Sequence, residues 1–399
     1  MEVMVALGAG CLLVRLGMAL YGAGLIRSKN SAGALMRHVG DLCVASLAFW
    51  LIGAAILIQQ QNGFFSIHRA SLAFHNGEFS VLFFLLTTVL IGTAAAGGAV
   101  AERSRFFPVW GASILLAAIL IPVGANWVWY GWLHHLGVVD VGGGSWLHVT
   151  AAACALAAAI AVGPRTGKYN HDGSASMIPG HNVPLAAAGV LALLAGWVPY
   201  LAGCMILNFG SEDIGVTACA TILSAAAAGL SAMLLGYFRY HKPDVILTLM
   251  GFLGGLVAIS ATAGAVGPAR AVLIGAIAGV LVPLSAIWID LFGRIDDPTG
   301  TIAIHGIGGA WGTLAGGFLF HNTFAGRFRL LGVQIVAVVV LAVFSFALSF
   351  AMFLALKTIT SIRATEADEY DGLDLAEHDI GAYPDFQQTT IKSYHLREA

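Results

Sequence analysis

Asp140-Val-Gly-Gly-Gly-Ser-Trp-Leu-His148 and Asp297-Pro-Thr-Gly-Thr-Ile-Ala-Ile-His305 decide how this chain is read. In each, a histidine follows an aspartate by eight residues, and Gly143 and Gly300 fall in the same register. Both histidines stand in runs otherwise too apolar to welcome a titratable ring. An ionisable group inside a membrane span is costly and faces a cavity or a partner. Two of them at matched positions predict a site where two repeats meet. Taken alone, either histidine could be a helix–helix hydrogen bond, and Asp140 could be a helix N-cap.

The rest of the chain agrees with a membrane setting. Of 399 residues, 58% are hydrophobic and 10% charged, and the mean hydropathy is +0.85. Soluble domains carry about 25% charged residues. A net charge of −2 gives no sign of nucleic-acid binding. The five cysteines lie in apolar runs without a CxxC pair, so neither a disulfide framework nor a metal site is implied. No cofactor is called for. The first apolar run is too long and too poorly flanked for a cleavable signal peptide.

A helix needs about 20 apolar residues to cross the hydrocarbon core. Eleven runs qualify, near 3–26, 39–59, 80–101, 107–127, 145–163, 183–208, 215–237, 244–264, 268–292, 301–320 and 331–356. Ten Lys/Arg residues fall in the loops after the odd-numbered spans up to the ninth. Four fall in the others: Arg69, Arg270, Arg327 and Arg329. The positive-inside rule then predicts an outer N-terminus and a cytoplasmic C-terminus in the plasma (inner) membrane. Spans one to five and six to ten form two halves of opposite orientation. Eight helical residues rise about 12 Å, so from opposite faces of a core about 30 Å thick both histidines approach the midplane. Inverted repeats around a midplane site are a transporter architecture. The runs from Thr93 to Ala99 and Gly251 to Gly255 are expected to be close-packing seams. Arg15 lies inside the first span and needs a partner, for which Asp41 is a candidate.

With these features, the chain resembles the ammonium transporter (Amt/Rh) family along nearly its whole length. The resemblance rests on Tyr21 to Asn30, Ala101-Glu-Arg-Ser-Arg-Phe106, Asp140 to His148, His181-Asn-Val-Pro184 and Asp296 to Gly309. The tail adds Arg363, Glu366, Glu369, Gly372-Leu-Asp374, His378 and Ala382-Tyr383. The resemblance implies an all-α integral membrane fold of eleven helices with an inverted five-helix repeat, assembled as a homotrimer in lipid with one narrow pore per subunit. His148 and His305 would line that pore, and Asp140 would support recruitment of ammonium. Trp129, which by itself could be an interfacial anchor, would offer a cation–π face. A pair of imidazoles can accept hydrogen bonds and relay a proton, while a dry pore excludes bare cations.

The sequence departs from the family at its outer gate. Thr88 stands where one of two stacked phenylalanines is expected, one turn after Phe84. Tyr200, three residues after Trp197, takes the other position, and Cys204 replaces a serine. A hydroxyl pair in an apolar gate alters wetting, and a thiol is a weak acceptor. His38, His68, His75, His134 and His135 are expected in surface loops. Residues 1–356 form the expected ammonium-binding and transport domain, and 357–399 a cytoplasmic tail, with Arg363, Gly372, Asp374 and Tyr383 as candidates for coupling tail to pore. The stretch from Leu396 to Ala399 is helix-prone, as an ordinary ragged tail or a linker to an output domain. Two functions stay open: conduction of ammonium, or ammonium sensing relayed to a covalently attached kinase or cyclase-type domain. A PII-type regulator is a further partner the resemblance admits. An enzyme is not indicated in these residues, which carry no GxSxG, HExxH or paired midplane aspartates.

Overall fold

The computed structural model describes residues 2–58, 78–210, 214–319 and 323–384. His68, Arg69, His75 and the tail from 385 onward lie outside the described residues. Among the described residues are eleven long apolar helices: α1 (Glu2–Leu25), α2 (Ser31–Ala48, continuing to Leu57), α3 (Phe79–Gly98), α4 (Phe106–Leu115, continuing to Trp129), α5 (Gly144–Val162), α6 (Val183–Phe209), α7 (Ile214–Tyr240), α8 (Val245–Ser260), α9 (Pro268–Leu291), α10 (Ile302–Leu319) and α11 (Phe324–Ile359). Two short tail helices follow, α12 (Glu366–Asp371) and α13 (Leu373–His378).

Ten of the eleven are long and apolar enough to cross a membrane. The exception is α8, expected over 244–264, which stops after 16 residues. At about 1.5 Å per residue it falls short of the core thickness. The carbonyls at its end are taken up by another segment. Ser260 O accepts the Gly142 N–H at 2.8 Å, and Ala261 O accepts Val141 N–H at 3.0 Å. The end of α8 thus props the turn in front of His148.

Two other expected boundaries shift. α2 begins at Ser31, not near 39, so Arg37 and His38 belong to a helix. The polar residues hid this start, and His38 is a correction to its expected place in a surface loop. α11 begins at Phe324, which puts Arg327 and Arg329 in its first turns and not in a loop. His134 and His135 do lie exposed, on a short helix Trp132–Leu136.

The packing repeats between halves. α1 packs on α3 as α6 does on α8, and α2 on α4 as α7 does on α9. α1 lies along α6, joining the halves, and α11 straps across α5 and α10. The Gly251–Gly255 seam is a close contact with α7: a Cβ on Gly251 would lie 2.3 Å from the Ala232 Cβ. With lipid as apolar as the side chains, such contacts rely on packing and internal hydrogen bonds.

Arg15 is buried and does pair with Asp41. Its guanidinium also donates to Leu90 O at 3.0 Å and His38 O at 2.6 Å, tying α1, α2 and α3 together. Removing one member of a buried pair leaves an uncompensated charge. Arg15→Met is expected to cost about 3–5 kcal/mol of stability. The double change Arg15→Met/Asp41→Leu is expected to recover most of that loss. Thermal unfolding in detergent measures both, and a double variant no more stable than the single would refute the assignment.

Candidate functional site

The two signature stretches adopt the same local structure. Gly143 and Gly300 both take positive φ, at 92° and 68°, a conformation that strains any residue with a side chain. Each is followed by a π-helical turn, Gly144–Val149 and Ile302–Ile307, carrying its histidine. Such turns widen the helix by one residue and occur often at functional sites. The Asp140 carboxylate accepts the N–H groups of Gly143, Gly144 and Ser145 at 2.7–2.8 Å and the Ser145 hydroxyl at 2.6 Å. Its charge therefore satisfies the orphan donors of α5. Asp297 does the same more sparingly, accepting Ile302 N–H at 2.7 Å.

The halves meet where α5 and α10 cross. A Cβ on Gly309 would lie 2.4 Å from Gly144 O, so only glycine permits this approach. The contact brings His148 Nδ1 within 3.1 Å of His305 Nδ1, with ring centroids 5.1 Å apart. Between two imidazoles in this contact, one Nδ1 carries the hydrogen and the other accepts it. Their Nε2 atoms then have opposite character: an acceptor on the first ring and an N–H on the second. His148 stacks on Trp197 at 5.3 Å and 14°, and Trp197 Nε1 donates to Ser260 Oγ at 3.0 Å. The Nε2 of His148 is buried with no partner among the described residues.

The pair is shut off on one side and open on the other. Phe84, Thr88, Tyr200 and Cys204 are fully buried, as is His148. The Thr88 and Tyr200 hydroxyls do not form a pair. Thr88 Oγ1 donates to Phe84 O at 2.9 Å, and the Tyr200 hydroxyl donates to Gly142 O. Both are spent on backbone acceptors. Trp129 is also buried, donates to Asp140 O at 3.1 Å and packs edge-on against Trp146. On the tail side, His305 lines a cavity of about 40 Å³ together with Tyr21, His38, Trp197, Thr299 and Thr301. His38 and Tyr21 were not singled out from the sequence. A helix start placed at 39 left His38 outside the membrane, and its i, i+3 spacing to Asp41 was the available signal.

Below this cavity a buried ionic layer joins the loops. Glu102 pairs with Arg27 at 2.7 Å and Arg165 at 3.2 Å, and Asp296 pairs with Arg165 at 2.8 Å. Burial would raise the Asp296 carboxyl, but hydrogen bonds and charge from Arg165, with Arg103 nearby, bring it down to about 2. The tail docks on the same face. Asp374 accepts Ala32 N–H at 3.0 Å and Gly33 N–H at 2.7 Å, capping α2. Glu377 accepts Phe106 N–H at 2.8 Å, capping α4. Arg363 pairs with Glu369 at 2.7 Å, and Glu369 accepts Thr166 N–H at 3.0 Å. Gly372 turns with φ 107°. Tyr383 and His181 Nε2 lie 2.9 Å apart, while His181 Nδ1 faces Ile26 O at 2.8 Å. A carbonyl only accepts, so a neutral His181 donates from Nδ1 and Tyr383 donates to Nε2.

Residues 2–383 match the model of the Ammonium Transporter Family. The chain belongs to the ammonium transporter family. It is 32% identical to ammonium transporter Amt2 of Archaeoglobus fulgidus over 94% of this chain and 86% of that one. It is 31% identical to an ammonium transporter of Bacillus subtilis over 92% and 94% of the two chains. Among solved structures, one described as a Sensor Amt Protein superposes with TM-score 0.90 at 34% identity, covering 94% of this chain and 97% of that one. Saccharomyces cerevisiae Mep2, at 23% identity and TM-score 0.81, shares the fold.

Two outcomes follow from this geometry. Burial raises the Asp297 carboxyl to about 6, and one of its oxygens has no partner among the described residues. Because the folded pKa exceeds the unfolded one, folding is penalised increasingly as pH rises from about 4 to 6 and fully above that. Asp297→Asn keeps the acceptor for Ile302 and is expected to remove this loss, of about 2–3 kcal/mol. Unfolding temperatures of both forms at pH 4 and pH 7.5 check it; equal pH dependence would contradict it. Asp374→Ala is expected to loosen the tail, seen as roughly fivefold faster limited proteolysis after residue 360, since a cap contributes about 1 kcal/mol.

Proposed function

We propose that the chain conducts ammonium through the His148–His305 pair. The observation that carries this reading is the 3.1 Å Nδ1–Nδ1 contact between two histidines at matched positions in the two halves, buried on one side and open to a small cavity on the other. Ammonium and potassium have similar size and charge, so a pore of fixed width does not separate them. Ammonium donates hydrogen bonds and can surrender a proton. A bare alkali cation entering this apolar passage would lose its hydration without replacement. The neutral imidazole pair accepts hydrogen bonds from the incoming species, and it can take a proton on one Nε2 while the shared Nδ1 hydrogen shifts across the pair.

Phe84, Tyr200 and Cys204 form the outer barrier in this reading, and Thr88 shapes the helix beside it. Passage requires the Phe84 ring to move: a Cβ on Gly203 would be 2.1 Å from it, so the ring occupies the space that glycine leaves. Asp140 acts by fixing the turn that aims His148, and Trp129 by closing that turn from above. Residues 1–356 constitute the transport domain. The N-terminus lies outside, and the segment from 357 lies in the cytoplasm, where Arg363, Gly372, Asp374 and Tyr383 couple it to the loops. The subunit acts within a homotrimer in the plasma membrane.

A second reading is an ammonium sensor. The similarity to the Sensor Amt Protein supports it, as does the closed outer side, where Tyr200 and Thr88 spend their hydroxyls on the backbone. In that case ammonium shifts the tail only through different affinities for two states.

Ammonium-induced current in proteoliposomes on a supported membrane separates the readings. Conduction predicts a sustained current with ammonium and none with potassium, reduced at least tenfold by His148→Ala or His305→Ala. Absence of current with ammonium binding retained in calorimetry would establish the sensor. Absence of both would overturn the ammonium reading.

A further inference from the structure

A second cavity of about 40 Å³ opens beside the one that reaches His305. The two share Gly22, His38, Ala94, Gly98 and Thr299 as lining, so His38 stands at the junction. The side chamber is polar where it is deepest. Asp41, which is buried, gives one carboxylate oxygen to Arg15 and to Thr93 Oγ1 at 3.1 Å. Its other oxygen, Oδ1, is buried without a partner, and so is the Nε1 of Trp110, another lining residue. An unfilled acceptor and an unfilled donor in one chamber call for a small molecule that both donates and accepts. Water does so, and ammonium does not, because it has no lone pair. A volume of this size holds about three waters.

We propose that His38 and Asp41 form a proton-accepting station in this water-holding chamber. The station receives on the tail side the proton that ammonium sheds at His148 and His305. The inference rests on the pore reading and names the group that the proton reaches next. An N–H bond of ammonium breaks, and its electron pair stays on nitrogen as the lone pair of ammonia. The proton binds an imidazole Nε2 of the pair, then passes through water in the shared cavity to the His38 ring, leaving the pair neutral. From His38 it leaves to tail-side water. Nothing is oxidised or reduced.

His38 is suited to this. No described side chain hydrogen-bonds its ring, so its nitrogens are left to the cavities. The charged groups bearing on it are Arg15 from α1 and Asp41 on its own helix. Tyr21 of α1, Arg37 of α2 and His305 of α10 complete the titratable lining of the two cavities, and α3 and α4 contribute only uncharged residues there. A ring nitrogen without a hydrogen-bond partner among the described side chains, facing both cavities, is placed to accept a proton from water there. The free Oδ1 of Asp41, through water, offsets the charge while the proton is held. Ammonia, being neutral, needs none of this and can leave by the main cavity.

The test compares the full chain with His38→Gln in proteoliposomes, reading ammonium-induced current and, separately, ammonium binding by calorimetry. The expected result is a current lowered at least tenfold, binding within twofold, and a changed dependence of current on internal pH. Unchanged current and pH dependence would overturn the station while leaving the pore reading intact. If the unaltered chain carries no current, conduction fails, and the imidazole nitrogen signals of histidine-labelled protein decide. An ammonium-induced change at His38 that is lost in His305→Ala supports the station, and a His38 signal indifferent to ammonium overturns it. Arg15→Met/Asp41→Leu, which leaves no unpaired charge, is expected to reproduce the His38→Gln loss. Full current in a folded double variant would count against Asp41.

Discussion

The crossing of α5 and α10 sets everything that the site can do. Gly144 O and the Gly309 Cα stand so close that no side chain fits between them, and this proximity alone brings two imidazoles from separate halves to 3.1 Å. In lipid no hydrophobic drive holds two helices together, so the approach must come from packing and from internally satisfied polar groups. Both conditions are met by the same short stretches: an aspartate occupied by amide hydrogens, a glycine in the left-handed region, and a widened turn. The histidines are placed by the backbone geometry around them more than by contacts of their own.

A second consequence of the apolar medium is that polar groups are matched across long sequence distances. The end of α8 accepts two hydrogen bonds from the segment just before the His148 turn. Arg15 serves Asp41, Leu90 and His38. Glu102 and Asp296 bind the loops around Arg165. The Arg15, Glu102 and Asp296 contacts give the tail side of the molecule a buried polar framework, while the opposite side around Phe84, Trp197 and Tyr200 is aromatic. The asymmetry separates the two faces of a bundle whose halves otherwise repeat.

The eleven helices were legible because each run is long and apolar, and the histidine pair because its spacing recurs. The Arg15–Asp41 pair was legible on electrostatic grounds, since a lone charge in the first span had to be answered. What stayed hidden has a common cause. Hydropathy places a boundary wherever polar residues gather, so the start of α2 was set beyond His38 and the end of α8 was set too late. In both cases a hydrogen bond to a distant segment outweighs the local signal. Two hydroxyls illustrate a different limit. Thr88 and Tyr200 are polar in composition, yet the backbone takes up both hydroxyls, and no pattern in the sequence reveals an acceptor such as Gly142 O.

The caps supplied by the tail carry an implication for how the molecule is made. The amide hydrogens opening α2 are satisfied by Asp374, which lies 341 positions later than Gly33, and those opening α4 by Glu377. A growing chain emerges from its N-terminus, so these two helix ends wait, solvated and unfinished, through the synthesis of nearly the whole bundle. Only when the last helices are in place can the tail fold back and close them. Synthesis of the tail is thereby written into the structure as a physical event, and a subunit cut short of Asp374 would differ from one that contains it at the start of α2.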